Sequence, residues 1–203
     1  MMTITYRVRD AVYVNLTNRC PCACTFCLRS QGPGVYGSDS LWLDREPTEE
    51  EVWESLREWN LKSFREVVFC GYGEPTERLD VLLAVAARLK GANPSQRVRV
   101  NMNGLSDLVN GRPTAALFGG RVDCLSISLN TDDPAEYLAV CRPKFGEAAY
   151  PAMLEFAREA AKCVPEVVMT VVGEPVTSPE KQARCREVAA GLGARLRVRP
   201  YEG

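Results

Sequence analysis

The chain contains no histidine. That absence removes the commonest general base and the mixed cysteine–histidine zinc sites together. An excess of one charge is also missing: 25 Lys and Arg stand against 26 Asp and Glu, a net charge of −1. No global basic field draws in nucleic acid. No apolar run approaches the roughly 20 residues that a membrane-spanning helix needs. The opening MMTITYRVRD lacks the apolar centre of a signal peptide. Together these absences predict a cytoplasmic protein with no membrane segment and no direct nucleic-acid signal.

Cysteine, by contrast, is plentiful: nine in all, four of them in NRCPCACTFC, residues 18–27. Without export a disulfide framework is not expected, and clustered thiols in a reducing cytosol point to metal. Cys70, Cys124, Cys141, Cys163 and Cys185 are scattered, and most read as small buried apolar residues. A structural zinc site takes two ligand pairs a dozen or more residues apart. No second pair lies near the cluster. An ordinary four-cysteine electron-transfer centre needs a well-placed fourth ligand, and Cys22 is squeezed between Cys20 and Cys24.

The 203 residues are 46% hydrophobic, enough for one core. No repeat, low-complexity tract or linker divides them, so residues 1–203 read as a single domain. Strand-like segments at 11–17, 66–71, 97–103, 121–130, 166–172 and 194–200 alternate with helical ones. Thr48 and Glu51 form a capping box behind Pro47, with Val52, Leu56 and Trp59 on one face. Further helices read as 77–90, closed by Gly91, a short one in RPTAALFGG, another opened by Asp133-Pro134, then 150–163, and one opened by Ser178-Pro179. Such alternation predicts a parallel sheet with right-handed crossovers.

Parallel strands are normally apolar on both faces. Several here alternate. Tyr13, Asn15 and Thr17 share one face, as do Arg99, Asn101 and Asn103, then Ser126, Ser128 and Asn130, then Arg195, Arg197 and Arg199. A polar face shared by several strands is costly unless it lines a wet or ligand-filled space. The fold class expected is therefore α/β: a partial (β/α)6 TIM-like barrel with parallel strands and a polar lumen.

The spacing Cys20-x3-Cys24-x2-Cys27, in the loop after the first strand and with Phe26 before its last cysteine, resembles the signature of the radical S-adenosylmethionine (radical SAM) superfamily. CGYGEPT, after the second strand, resembles that superfamily's Gly-Gly-Glu motif, with Tyr72 in place of the first glycine. Gly73 permits close backbone approach, and Glu74 offers an acceptor to a cationic amine. Across NLTNRC, LWLDREPT, FCGYGEPT, SISLN and CRPKFG, the chain resembles more narrowly the small radical SAM proteins described as TatD-associated.

This resemblance implies a [4Fe–4S] cluster on Cys20, Cys24 and Cys27, with Cys22 a bystander. It implies one iron left open for S-adenosyl-L-methionine, reductive cleavage of that cofactor to a 5′-deoxyadenosyl radical, and flavodoxin or ferredoxin as electron donor. Asn103, Ser128 and Asn130 fall where relatives hold the ribose and carboxylate. Arg142 reads either as a carboxylate ligand or as a surface arginine at a helix end. Val171 and Val172 fall where relatives pack adenine, and core packing explains them equally well. A short, open barrel suits a bulky substrate such as a protein or peptide. Arg195, Arg197 and Arg199, if they face inward rather than lie on a solvated edge strand, point to an anionic one. The alternative is an iron–sulfur sensor or electron carrier that never cleaves the cofactor. GPGVYG fits Gly-x-Gly-x-x-Gly but neither follows a strand nor opens a helix. It lies in a long loop expected to cover the cluster, with Trp42 and Tyr36 as packing residues.

Overall fold

The two-faced strands form one sheet whose apolar side takes the helices. The computed structural model describes residues 2–201. Its strands are β1 (Thr5–Val8), β2 (Ala11–Val14), β3 (Glu66–Phe69), β4 (Arg97–Met102), β5 (Cys124–Ser128), β6 (Glu166–Val172) and β7 (Arg195–Arg199), and they lie side by side in sequence order. β1 pairs antiparallel with β2, and every later pair is parallel. The helices are α1 (Glu49–Arg57), α2 (Leu79–Ala92), α3 (Ser106–Asn110), α4 (Pro134–Cys141), α5 (Ala149–Ala160) and α6 (Pro179–Gly191).

Val12, Val14, Val67, Phe69, Val98, Val100, Leu125, Ile127, Met169 and Val171 enter one buried apolar cluster with Leu82, Val85, Leu89, Phe156 and Ala189 of the helices. The opposite face is mixed: Tyr6, Val8 and Tyr13 pack an apolar patch at the β1–β2 side, and Val68 and Val168 are buried on it, while β4, β5 and β7 give it the polar residues that the alternation predicts. Arg99 donates to Glu66 at 2.8 and 3.1 Å and to Asn101 at 2.6 Å, and Arg197 donates to Ser126 Oγ at 2.9 Å. The fold is the mostly parallel partial barrel expected, with one strand more than the six read from the pattern. That extra strand, β1, turns into β2 through Arg9 at φ 54°. An arginine in the left-handed region carries none of the usual hairpin signal, so β1 is silent in sequence.

Other differences are local. β2 ends at Val14 rather than Thr17, because the chain leaves the ladder to begin the cysteine loop. Residues 75–78 form a tight 3-10 turn before α2, and α2 runs through Gly91 to Ala92. Gly91 therefore does not close it; the N–H of Asn93 returns to the Leu89 carbonyl at 2.9 Å. The RPTAALFGG segment is also a 3-10 turn, Ala115–Phe118, and α3 had no signal. Thr48 and Glu51 make the expected capping box.

Candidate active site

The parallel strands all end on one side, so their following loops meet there. Three features bring them together. The first is glycine. A Cβ on Gly73 would stand 2.2 Å from the Thr17 carbonyl oxygen, and one on Gly71 would stand 2.0 Å from Asn15 Oδ1. The turn after β3 therefore lies flush against the chain leaving β2. Glu74 N donates to the Arg19 carbonyl at 2.8 Å and fixes that approach.

The second feature is α4. Its last carbonyls have no partner within the helix. They accept from the cysteine loop instead: Thr25 N donates to Val140 O at 2.9 Å, and Ala23 N to Cys141 O at 3.1 Å. Lys144 N donates to Pro21 O at 2.8 Å, and Cys22 bridges to Pro143 as a short antiparallel pair. The segment CRPKFG is thus the shelf on which the thiol loop rests.

The third is Glu74, which is 4% exposed. It accepts Asn103 N at 2.7 Å, Thr76 Oγ1 at 2.8 Å and Thr76 N at 3.2 Å, tying the ends of β3 and β4. Burial pushes its carboxyl up to about 7, against the pull of those donors.

Cys20, Cys24 and Cys27 are half-buried and unbridged, whereas Cys22 is buried. Hydrogen bonds from neighbouring thiols hold two of them low: Cys22 lowers Cys20, and Cys141 with Cys22 brings Cys24 down to about 4. Burial raises Cys27. Cys22 is pushed up because it shares its proton with Cys20 and Cys24. Arg29 donates to the Cys22 carbonyl at 3.3 Å, and its charge favours the thiolates of Cys24 and Cys27. Cys141 and Arg29 were not legible from spacing. Cys141 reads in sequence as one more buried apolar residue, and only the packing of α4 brings it to Cys24.

Asn103 Nδ2 points to Cys22 Sγ at 3.8 Å, and its Oδ1 accepts Leu105 N at 2.8 Å. Asn130, at φ 64°, donates Nδ2 to Cys141 Sγ at 3.2 Å. Its Oδ1 is buried without a hydrogen-bond partner. Ser128 ends β5 on the lumen side, partly exposed. Phe26 lies half-buried in the thiol loop. Arg142 is exposed at φ 47°, ending α4. Val171 belongs to the helix-side core and Val172 to the opposite face.

The long loop packs differently from expectation. Leu41 is fully buried with Tyr6, Val8 and Tyr72, while Trp42 and Tyr36 stay 44% and 50% exposed. Trp42 meets Tyr72 edge-on at 5.1 Å, and Tyr72 OH donates to Gly32 O at 2.7 Å. Asn15 and Asn18 each donate to loop carbonyls, of Leu41 and Leu43, at 2.7 Å. These polar ties aim the aliphatic side chains, not the aromatic ones, into the core.

Parallel strands with polar residues on their inner face, and a thiol loop across their carboxyl ends, define a partial barrel of the kind that works at that rim. The chain belongs to the radical SAM superfamily, whose family model matches residues 14–187. It is 27% identical over 136 residues to a GTP 3′,8-cyclase of Limosilactobacillus fermentum, spanning 67% of this chain and 38% of that protein. Its fold is similar to a radical SAM methyltransferase from Sphaerobacter thermophilus, with a TM-score of 0.68 and 16% identity over 98% of this chain and 59% of that one. Streptococcus suis SuiB bound to precursor peptide SuiA gives a TM-score of 0.67 and 16% identity over 94% and 39%. The chain thus spans between 38% and 59% of these relatives' length.

Membership implies a [4Fe–4S] cluster and S-adenosylmethionine, and the donor set fits both. Three unbridged, half-buried thiols lie in one loop, two of them held toward thiolate, and soft thiolate donors of this kind suit an iron–sulfur cluster; among the described residues no three such side chains are already gathered around one metal position. Asn130 Oδ1 offers a buried acceptor beside them. Among the described residues no helix is long and apolar enough to cross a membrane.

Proposed function

We propose that the protein is a radical SAM enzyme whose cluster is held by Cys20, Cys24 and Cys27. When bound, the cluster would supply one electron to S-adenosylmethionine, releasing methionine and a 5′-deoxyadenosyl radical that takes a hydrogen atom from the substrate. The chain's own residues hold and shape the site. Cys22 and Cys141 lie against the ligand thiols, and Cys24 Sγ donates to the Cys141 carbonyl at 3.6 Å. Gly73 and Tyr72 set the turn beside Cys27, and Glu74 braces it. Asn103, Ser128, Asn130 and Arg142 are the polar groups offered to the cofactor's ribose and methionine ends, and Phe26 packs within the loop. The observation that carries this reading is the three-thiol loop, seated on α4 over the carboxyl ends of the strands.

We place the chain among the small TatD-associated members on its sequence motifs alone. A flavodoxin or ferredoxin would donate the electron. Nine cysteines with no bridge among the described residues suit a reducing cytoplasm. β1 and β7 do not pair, so the barrel is open on one side, which supports a bulky substrate such as a protein or peptide.

Anaerobic reconstitution followed by dithionite and S-adenosylmethionine tests the proposal. Iron and sulfide near four of each per chain, with 5′-deoxyadenosine formed, is the expected result. Cluster reduction without 5′-deoxyadenosine would make the protein a sensor or electron carrier. Zinc in place of iron in air-free protein would discard both.

A further inference from the structure

The inner face of the sheet carries more cations than it can pair. Five guanidiniums (Arg97, Arg99, Arg195, Arg197, Arg199) start, line or end its strands, against the carboxylates of Glu66 and Glu166. The pairing is confined to the floor. Arg99 takes Glu66 in a fork, Arg97 lies 3.6 Å from Glu66 and also pairs with Glu166, and Arg195 Nε donates to Glu166 at 2.9 Å. Both carboxylates are thereby used at the amino ends of the strands.

One and two layers above, Arg197 and Arg199 are left over. Thr170 pairs Arg197 in register and Val172 pairs Arg199. Arg197 crosses to Ser126 on β5, a neutral acceptor, at 2.9 Å. The Arg199 charge reaches the Cys70 thiol at the end of β3, so it too is turned inward. The Nε of each is buried with no hydrogen-bond partner. Among the described residues, neither has a carboxylate within ion-pair distance. Burial, with repulsion from Arg99 and Arg199, disfavours the Arg197 charge.

A half-buried guanidinium whose Nε has no acceptor is costly, and two neighbouring ones more so. The arrangement is stable in use only when an anion completes it, and the guanidinium fork matches a planar or tetrahedral oxyanion. We propose that Arg197 and Arg199, with Ser126, form the substrate's anchor in the lumen, and that the substrate carries an oxyanion, a carboxylate or a phosphate, which docks between them. This rests on the radical SAM reading only for the word substrate. It adds that the anchor sits on the last strand, two layers above the ion-paired floor and on the open side of the barrel.

The test uses reconstituted protein with S-adenosylmethionine already bound, so that the cofactor's carboxylate is not the anion measured. Calorimetric titration with inorganic phosphate and, separately, with acetate reads saturable binding at one site. Saturation by phosphate assigns a phosphorylated substrate, and saturation by acetate a carboxylate such as a chain terminus. Arg197→Gln with Arg199→Gln is expected to weaken binding at least tenfold, whereas Arg195→Gln on the ion-paired floor stays within twofold. The Lys pair keeps the charge without the fork and is expected to fall between, which also covers a Gln pair that fails to fold. No saturable binding by either probe, or an equal loss in Arg195→Gln, overturns the anchor. The two readings fail separately: protein that binds the anion but forms no 5′-deoxyadenosine loses the enzymatic assignment and keeps the anchor, and the reverse result keeps the enzyme and loses the anchor.

Discussion

Cys22 and Cys24 are two residues apart, yet the protein treats them differently. Cys22 is 5% exposed and locked by its backbone bridge to Pro143 and by Asn103 Nδ2, whereas Cys24 lies half-buried between Cys22 and Cys141. Cys22→Ala should therefore keep close to the wild-type iron content after reconstitution, and Cys24→Ala should lose most of it. Iron retained by the second variant and lost by the first would reverse the ligand assignment. Gly73 is a second position with no tolerance. Its missing Cβ is what lets the turn touch the Thr17 carbonyl at all, so Gly73→Ala should cost about 1–3 kcal/mol or more through forced backbone movement. Urea unfolding measures the cost, and the same variant should hold iron poorly because the turn borders the thiol loop. The ligand spacing was legible in the chain itself, since three cysteines in eight residues need no tertiary knowledge to be noticed. Cys141 was not, because it lies 117 residues from Cys24.

Among the elements, α2 and the strands illustrate what a local pattern carries. Period-2 alternation read four strands as two-faced; β4 and β5 are, because one face meets helices and the other cannot, whereas β2 ends at Val14, before Asn15 and Thr17, and on β7 Val198 stays 38% exposed. Gly91 read as a helix terminator, but the backbone passes through it in helical conformation, and a Cβ added there would meet nothing within 4 Å. Gly91→Ala is accordingly expected to stabilise the protein by about 0.5–1 kcal/mol, the usual helix-interior difference. A drop in the urea midpoint would mean that the glycine is needed after all. β1 was missed for a related reason: its short turn uses Arg9 in the left-handed region, and the energy that holds it there comes from Tyr6 and Val8 packing on Leu41 and Tyr72 rather than from the turn residues.

For the molecule as a whole, the inner face divides into an ion-paired floor, a cationic middle and a thiol-bearing rim. The floor should appear in the acid stability. Burial works to raise Glu166, but hydrogen bonds from Arg195 and Arg97 outweigh it and bring the carboxyl to about 2 from its ordinary 4.5. A carboxyl lowered in the folded state contributes stability that is present above pH 4.5 and lost as pH falls toward 2. Glu166→Gln should flatten that part of the stability curve while leaving its shape above about pH 5 unchanged. An acid limb as steep in the variant as in the wild type would show that the floor is held by other contacts. The middle layer is where the chain departs from internal balance, and an unbalanced charge inside a lumen is more often a place for a ligand than a fault in the fold.

By itself the sequence determined the alternation of strands and helices, the polar residues of the inner face and the three-thiol spacing, because each is written in residues near one another and read by a period of the backbone. Only the tertiary structure decided that α4's carbonyls carry the thiol loop, that Leu41 rather than Trp42 is buried against Tyr6, Val8 and Tyr72, and that Glu66 and Glu166 are spent on the floor, leaving Arg197 and Arg199 without a carboxylate among the described residues. Those outcomes depend on which strand neighbours which, and in what register. Register is fixed by the packing of the whole sheet against its helices, so no single segment contains it.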